Sequence, residues 1–347
     1  MAEYSSRIGW GLLLAVAVVV PFFLSYSQMD IAIALVVNVL LVSSYRWLTL
    51  TGEFSLAHAV LMGVGAYGSG LLAKDLGWPF WFSLPAAGLI TAFVAFLLSF
   101  PLFRMKLFYF LIGSFAAGEA IRLSWNYFDN PFGGPGGLTM IPTPQLWVPT
   151  MGVIDIGLLY PIRYYFLALA IVTLCLWILH RLERSRIGLT LHALHWRDEL
   201  AESVGVHAWY YRMLAFVTSA FFAGVAGSLH AHYIGTVTPP IFGLHLMVLI
   251  LVWLIVGGSR TFAGPIVGVI ALTMFNEFFR FAEEVRPAFY GVMLILATLF
   301  LPDGLESIPG KIRGWWQGRK GTSGGGQPVR DQRDAPRSET TTTTSST

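Results

Sequence analysis

Residues 213–259 read MLAFVTSAFFAGVAGSLHAHYIGTVTPPIFGLHLMVLILVWLIVGGS, which is 47 positions without an Asp, Glu, Lys or Arg. A helix that crosses a bilayer needs about 20 mostly apolar residues, so this run is long enough for two such helices. The segment GTVTPP at 235–240 supplies their turn, because a glycine followed by paired prolines interrupts a helix. The sequence therefore predicts a pair of transmembrane helices here.

Apolar stretches of the same kind fill most of the chain. Of its 347 residues, 55% are hydrophobic and 12% are charged, whereas a soluble domain has roughly a quarter charged residues. This composition excludes an ordinary soluble enzyme and predicts an all-α polytopic membrane protein of about ten transmembrane helices. The eight further candidate spans are 8–29, 31–50, 54–73, 76–103, 107–125, 162–180, 262–279 and 287–301. The first could be a secretory signal, but its length favours an uncleaved anchor.

Lys and Arg residues predict the orientation, because basic residues collect on the cytoplasmic side. With both termini in the cytoplasm, 17 basic residues fall inside and four outside, Arg122 being set aside within a span. Residues 1–303 then form the transmembrane domain, with a cytoplasmic loop at about 187–210. The outer loop at about 126–161 is rich in Gly and Pro and is expected to hold short helices or a binding surface. Residues 304–347 form a basic, low-complexity tail that is predicted to be disordered.

Several kinds of chemistry are missing from the sequence. There is no phosphate-binding loop of the G-x-x-x-x-G-K-[ST] type, so this chain is not expected to hydrolyse ATP. The histidine pairs lack a neighbouring ligand at zinc-enzyme spacing, and a lone cysteine, Cys175, cannot form an intrachain disulfide. The net charge of +3 resides in the tail, which gives no basis for nucleic-acid binding along the body. We therefore expect no catalytic residue, no metal and no cofactor in this chain.

Five residues are candidates for a polar pathway through the membrane. Glu119 and Arg122 are three residues apart and share one helix face; they mark either the entrance to a path or a structural ion pair. His58 is either a hydrogen-bond partner between helices or a contact along the path. Gly63 and Gly65 either permit close helix packing or expose backbone to the substrate.

Five motifs, taken together and in order, resemble one transporter family. They are GEFSLAHA at 52–59 with GVGAY at 63–67, GEAIR at 118–122, GGPGGL at 133–138, AFVTSA at 215–220 with AGVAG at 223–227, and LPDGL at 301–305. This pattern is similar to that of the branched-chain amino-acid permeases of ABC importers, and it is closest to the M-type permease subunit. The resemblance extends from about residue 38 to residue 305.

The resemblance implies an inner-membrane permease that forms its path with a second, homologous permease. It also implies two cytoplasmic ATPase subunits, which would bind the ATP, and a periplasmic binding protein; membrane lipid would surround the helices. The cytoplasmic loop is similar to the E-A-A-x-x-x-G coupling motif of ABC permeases. The candidate coupling residues are Glu199, Ala201, Glu202 and Gly205. In this interpretation the loop has an apolar side that binds to a partner, formed by Leu191, Leu194, Ala201 and Val204. A solvated loop is the alternative.

The substrate is the part of the resemblance most open to other interpretations. Arg260, His245 and Trp253 depart from the family's usual residues, and these changes bear on specificity rather than on fold. The expected substrates are branched-chain or other hydrophobic amino acids. A permease for urea or another small polar solute is the alternative, because urea importers use similar subunits. An ion-coupled secondary transporter is a further alternative, although it would need more buried ionisable residues than Glu119 and Arg122.

Overall fold

The computed structural model describes residues 11, 14–105, 108–148, 152–157, 160–196, 198–203, 205–278 and 291. Its helices are α1 Leu14–Phe23, α2 Tyr26–Thr49, α3 His58–Lys74, α4 Phe80–Leu102, α5 Phe108–Tyr127, α6 Pro161–Glu183, α7 Arg186–Trp196, α8 Asp198–Ser203, α9 Ala208–Ile234, α10 Leu244–Gly257 and α11 Gly264–Phe278. Four short strands complete it: β1 Leu138–Thr139, β2 Gln145–Val148, β3 Gly152–Asp155 and β4 Thr236–Val237. The predicted tail, 304–347, and the predicted span 287–301 lie outside the description of the structure, apart from Gly291.

Five helical segments in the described part of the chain are long and apolar enough to cross a membrane. They are Tyr26–Thr49, Phe80–Leu102, Pro161–Glu183, Ala208–Ile234 and Pro239–Gly257. The prediction of an all-helical membrane protein thus agrees with the structure, and the described residues leave the predicted number of ten spans untested. Helix α3 is shorter, at 17 residues, and α5 carries two charges near its middle.

The boundary between the first two predicted spans is displaced. The sequence placed it at Asp30, the charged residue between two apolar runs. In the structure the helical conformation is interrupted at Leu24 and Ser25. The backbone N–H of Ser25 donates a hydrogen bond of 3.0 Å to Oε1 of Gln28. This reciprocal capping arrangement satisfies an N–H at the start of α2. Asp30 therefore lies inside α2, where the phenol of Tyr233 on α9 donates a hydrogen bond to it.

The helix ends assemble at two ends of the bundle. At one, which we call the basic end, Arg46 of α2 meets Glu183 of α6 and the backbone of Ser259. At the other, the loop end, Asp30 meets Tyr233, and the connection 128–160 lies beside the turn between α9 and α10. Successive helices run between these two ends in alternating directions, which is the arrangement that the sequence predicted for the spans between residues 26 and 278.

The described residues of the connection 128–160 contain one short 3-10 helix, Gly134–Gly136, as well as the strands β1, β2 and β3, where the sequence suggested short helices or a binding surface. β2 pairs with β3 in an antiparallel hairpin, with Gln145 opposite Asp155. β1 pairs with β4, so that Leu138 lies opposite Val237 and the connection is held to the turn that follows α9. Gly235 ends α9 with a φ of +76°, and the turn predicted at 235–240 is confirmed. A left-handed residue at this position releases the helix C-terminus and starts β4.

Helices α3 and α9 form the centre of the bundle. Their glycines allow backbone-to-backbone approach: a Cβ atom placed on Gly65 would lie 2.3 Å from the Cα of Gly224. A Cβ on Gly227 would meet the carbonyl oxygen of Met62 at 1.9 Å. Small residues at such crossings are common where helices associate in a bilayer, because no hydrophobic effect drives the helices together there and close van der Waals packing must do so. The close approach of Gly65 to Gly224 thus supports the interpretation of Gly65 as a packing residue.

Candidate translocation and coupling sites

The residues between α2 and α3, 50–57, turn back into the bundle; we call them the re-entrant segment. Glu53 forms an ion pair with Arg212 of α9, whereas His58 bonds to Ser44, whose carbonyl accepts a hydrogen bond from Ser219 of α9. Arg212 and Ser219 are seven residues apart, which at 1.5 Å per residue is about 10 Å along the helix. Helix α3 therefore begins roughly 10 Å inside the level of Glu53. Irregular backbone at such depth occurs only where protein or a polar cavity surrounds it.

The re-entrant segment contacts α5 directly. The backbone N–H of Leu56 donates a hydrogen bond of 2.9 Å to Oγ of Ser114. One turn further along α5, a Cβ placed on Gly118 would lie 3.2 Å from the Cα of Ala57. The two motifs at 52–59 and 118–122, which are far apart in sequence, are thus neighbours in space. The next residue of α5 is Glu119, so the charged pair begins just beyond this contact.

Glu119 and Arg122 form an ion pair along the flank of α5. Nε of Arg122 donates a 2.9 Å hydrogen bond to Oε2 of Glu119, and a second N–H donates to Oε1. Their side chains are 29% and 20% exposed, so neither is enclosed by this chain alone. Glu119 is the twelfth of the 20 residues of α5, which places it near the middle of the helix.

His58 and the two glycines are buried within the chain. Nε2 of His58 lies 3.0 Å from Oγ of Ser44 and 3.3 Å from the carbonyl oxygen of Leu41, and its ring packs on Tyr45. This geometry supports the hydrogen-bond reading of His58, which joins α3 to α2. A Cβ on Gly63 would meet the rings of Trp125 and Phe242 at 2.7 and 2.8 Å, so Gly63 also packs against neighbouring elements.

The loop that the sequence singled out for coupling folds as α7 and α8. Glu199 lies on α8, and Glu202 is exposed at its end. Gly205 follows α8 with a φ of +89°. The N–H of Val206 donates to the carbonyl of Ala201, and that of Gly205 to the carbonyl of Glu202. These two bonds form a Schellman cap, in which Gly205 ends α8.

The apolar side of this loop faces the chain itself, which corrects the expectation that it seats in a partner. Leu191 is buried in the main core, and Leu194 and Ala201 pack with Ala208 at the start of α9. Val204 lies outside the described residues. The apolar side chains that project outward instead are Leu189, Leu200, which is 64% exposed, and Trp196, which is 81% exposed. The sequence shows that the loop is amphipathic, but the packing of α9 decides which of its faces is buried.

Two ion pairs at the basic end were missed by the sequence analysis. Arg46, only 2% exposed, donates to both carboxylate oxygens of Glu183 at 2.7 and 2.8 Å and to the carbonyl of Ser259 at 2.9 Å. Nε of Arg212 lies 3.4 Å from Oε1 of Glu53. The sequence treated the arginines only as markers of orientation. Their position inside helices, next to long apolar runs, could have indicated ion pairs, because a charge there requires a partner.

Comparison with known proteins agrees with this architecture. A family model described as branched-chain amino acid transport system, permease component, matches residues 27–298. This chain belongs to that family. Two curated relatives are the high-affinity branched-chain amino acid transport system permease proteins LivM of Salmonella typhimurium and Escherichia coli. They are 30% and 32% identical to this chain over 311 residues, which are 84% of this chain and 73% of each relative. No solved structure matches the chain significantly.

Membership in this family makes the chain a multi-pass permease of the bacterial inner membrane. The matched residues begin in α2 and run past the end of α11. They include the re-entrant segment, the ion pair of α5 and the α7–α8 loop. All three features thus belong to the part of this permease that the family shares.

Proposed function

We propose that this permease is the transmembrane subunit of an ATP-driven importer for branched-chain or other hydrophobic amino acids. A second, homologous permease completes the translocation path, two ATPase subunits bind at the basic end, and a binding protein delivers the substrate at the loop end. In this arrangement the basic end and both termini face the cytoplasm. ATP is bound and hydrolysed by the ATPase subunits, and this chain supplies the path and the coupling surface.

The observation that carries the proposal is the partly exposed ion pair on α5. A charged side chain in contact with hydrocarbon is costly, so intramembrane charges face other protein or water. Glu119 and Arg122 are covered by this chain on one side only, since the buried residues Phe110, Ser114, Gly118 and Trp125 define the packed face of α5. Their open side therefore faces a partner or an aqueous path, which is where a second permease fits.

The pair also suits the class of substrate. An amino acid carries an ammonium and a carboxylate at the same time, and the pair offers one group of each opposite charge close together. A neutral solute such as urea needs hydrogen bonds but no charge pair. His58 holds α3 against α2, Gly65 holds it against α9, and Gly63 packs against Trp125 of α5. These three contacts position the re-entrant segment beside α5 and thereby support the path.

The coupling part of the proposal concerns α7 and α8. Glu199, Ala201, Glu202 and Gly205 form the segment that resembles the coupling motif, and the Schellman cap gives its end a defined direction. We assign the contact with the ATPase subunits to the outward side chains Leu189, Trp196 and Leu200, with Glu202 beside them. Ala201 acts from inside, because it seats α8 on α9.

The test is transport by the purified complex. The chain, affinity-tagged and isolated with the subunits that remain bound to it, is reconstituted with enclosed ATP, and uptake of radiolabelled leucine and of urea is measured in the presence of the binding protein. We expect leucine uptake that vanadate inhibits and a protonophore does not. Vesicles that take up urea instead of leucine would contradict the substrate class. Leucine uptake by this chain alone, driven by an ion gradient without ATP, would contradict the ATP-driven mechanism.

A further inference from the structure

The α7–α8 loop is held on both flanks by ion pairs to the same short stretch of chain. Glu183, two residues before Ser185 and the start of the loop, pairs with Arg46 near the end of α2. Arg212, just after the loop in α9, pairs with Glu53 of the re-entrant segment. Residues 46 and 53 thus bracket the end of α2 and the turn that follows it. The flanks of the loop are therefore connected at two points, with opposite charge order, to a stretch that includes the end of α2 and the start of the re-entrant segment.

Between these two points the turn lies beside α7. Gly52, with a φ of +83°, faces the end of this helix: a Cβ placed on it would make ordinary van der Waals contact with His195, 3.4 Å from its Nδ1 and 3.7 Å from its Cα. The N–H groups of Thr51 and Gly52 donate to the carbonyls of Leu48 and Thr49, so the turn continues α2 without a flexible linker. The turn and α7 are thus neighbours, and the ion pairs on either side hold them in this position.

The other end of the re-entrant segment touches the helix that carries the candidate path. Leu56 is hydrogen-bonded to Ser114, and Ala57 packs against Gly118, one residue before Glu119. A series of ion pairs and contacts thus leads from the α7–α8 loop, through residues 52–57, to the charged pair of α5. Apart from Phe54, whose side chain is 42% exposed, its residues are buried or hydrogen-bonded, and packed interfaces transmit displacement rather than absorb it.

We propose that the re-entrant segment transmits movement of the α7–α8 loop to α5, and that the Arg46–Glu183 and Glu53–Arg212 pairs are the positioning residues that fix the loop to it. This inference rests on the proposed function, in which ATPase subunits move the loop. When the pairs hold, the loop and the segment move as one body. When a pair is broken, the loop moves without displacing α5, and ATP hydrolysis proceeds without transport.

The opposite charges of Glu53 and Arg212 allow their interaction to be tested by exchanging the two residues. Removing one partner takes an opposite charge away from the other, which also lowers stability. Exchanging Glu53 and Arg212 in a double variant, Glu53→Arg with Arg212→Glu, restores opposite charges across the same contact. The single variants are Glu53→Gln and Arg212→Gln. A matched control is Asp30→Asn, since Asp30 accepts a hydrogen bond from Tyr233 and thus joins another carboxylate to α9, but at the loop end.

The measurement is leucine transported per ATP hydrolysed by the reconstituted complex, with the amount of assembled complex determined separately. We expect the ratio to fall about fivefold or more in both single variants, the lower end of ordinary coupling between sites, and to recover at least partly in the exchanged double variant. Asp30→Asn is expected to lower the amount of complex while leaving the ratio unchanged. A structural role alone changes the amount of complex and not the ratio.

The outcomes separate this inference from the proposed function. If the wild-type complex shows no leucine-stimulated ATP hydrolysis, the proposed function fails and the variants are not needed. If the wild type is coupled and the single variants keep its ratio, the transmission through residues 52–57 is wrong while the proposed function stands. If both single variants and the exchanged double lose the ratio alike, the pair does not act through its opposite charges, and the assignment of positioning residues is overturned.

Discussion

Gly65 of α3 and Gly224 of α9 lie backbone against backbone, with 2.3 Å between a Cβ placed on Gly65 and the Cα of Gly224. The crossing has no room for a methyl group, so Gly65→Ala must separate the two central helices. We expect it to lower the stability of the fold by about 3 kcal/mol, the upper part of the usual range for overpacked cores. Gly68→Ala is the matched control, because its Cβ would meet only the side chain of Ile90, at 3.4 Å. Thermal unfolding in detergent compares them; equal unfolding temperatures would contradict the crossing.

Glu119→Gln should reduce leucine uptake more than it reduces the amount of protein in the membrane. The variant leaves Arg122 without its partner on α5, but both side chains are partly exposed, so the loss of stability is expected to be about 1 kcal/mol, below that of a fully buried pair. The double variant Glu119→Gln with Arg122→Met should recover part of the protein level and none of the uptake. Uptake and membrane content are measured on the same vesicles. Wild-type uptake by the single variant would exclude the pair from the path.

Gly205→Val should lower leucine-stimulated ATP hydrolysis of the complex while leaving the permease in the membrane. Gly205 has a φ of +89° with open space around the Cβ position, so the substitution strains the backbone without a clash, by about 1–2 kcal/mol. Gly77→Val is the control, since Gly77 also has a positive φ, +65°, and open space, but lies at the loop end. A similar loss of stimulated hydrolysis in both variants would mean that strain, and not its location, is responsible.

Leu200→Asp and Ala201→Asp should fail in different ways, although the residues are neighbours on α8. Leu200 is exposed, so an aspartate there costs little in the isolated permease and should weaken retention of the ATPase subunits in a pull-down. Ala201 is buried against Leu194 and Ala208, so an aspartate there is expected to destabilise the loop by about 2 kcal/mol or more. Thermal unfolding and pull-down are measured for both. Full retention of ATPase subunits by Leu200→Asp would remove this face from the contact.

Trp196→Cys and Met140→Cys should react with a membrane-impermeant maleimide from opposite sides of the membrane. Both positions are exposed, Trp196 on α7 at the basic end and Met140 in the connection at the loop end. The background is Cys175→Ala, which removes the only cysteine of the chain. In intact spheroplasts we expect labelling of position 140 and protection of position 196 until the membrane is opened. The reverse pattern would invert the orientation that the basic residues predict.

Local rules accounted for much of the fold. An apolar run of a given length predicts a helix whatever surrounds it, and a glycine after a helix predicts its end, as Gly205 and Gly235 show. The same reasoning placed the boundary between the first two spans at Asp30, because a charge in an apolar run usually indicates the end of a span. It was wrong there because Tyr233, 203 residues away in sequence, accommodates the carboxylate inside the bundle. A partner at that separation leaves no local trace.

The sequence by itself determined that the chain is a helical membrane protein, how its helices alternate in direction, and which family motifs it carries. Hydrophobic length and basic-residue bias act on each segment separately, so one sequence suffices to read them. Only the tertiary structure decided that α3 begins inside the bundle, that Leu56 bonds to Ser114, and that Arg46 bonds to Glu183. These contacts depend on how helices pack in three dimensions, and packing joins residues whose separation in sequence carries no information about their distance.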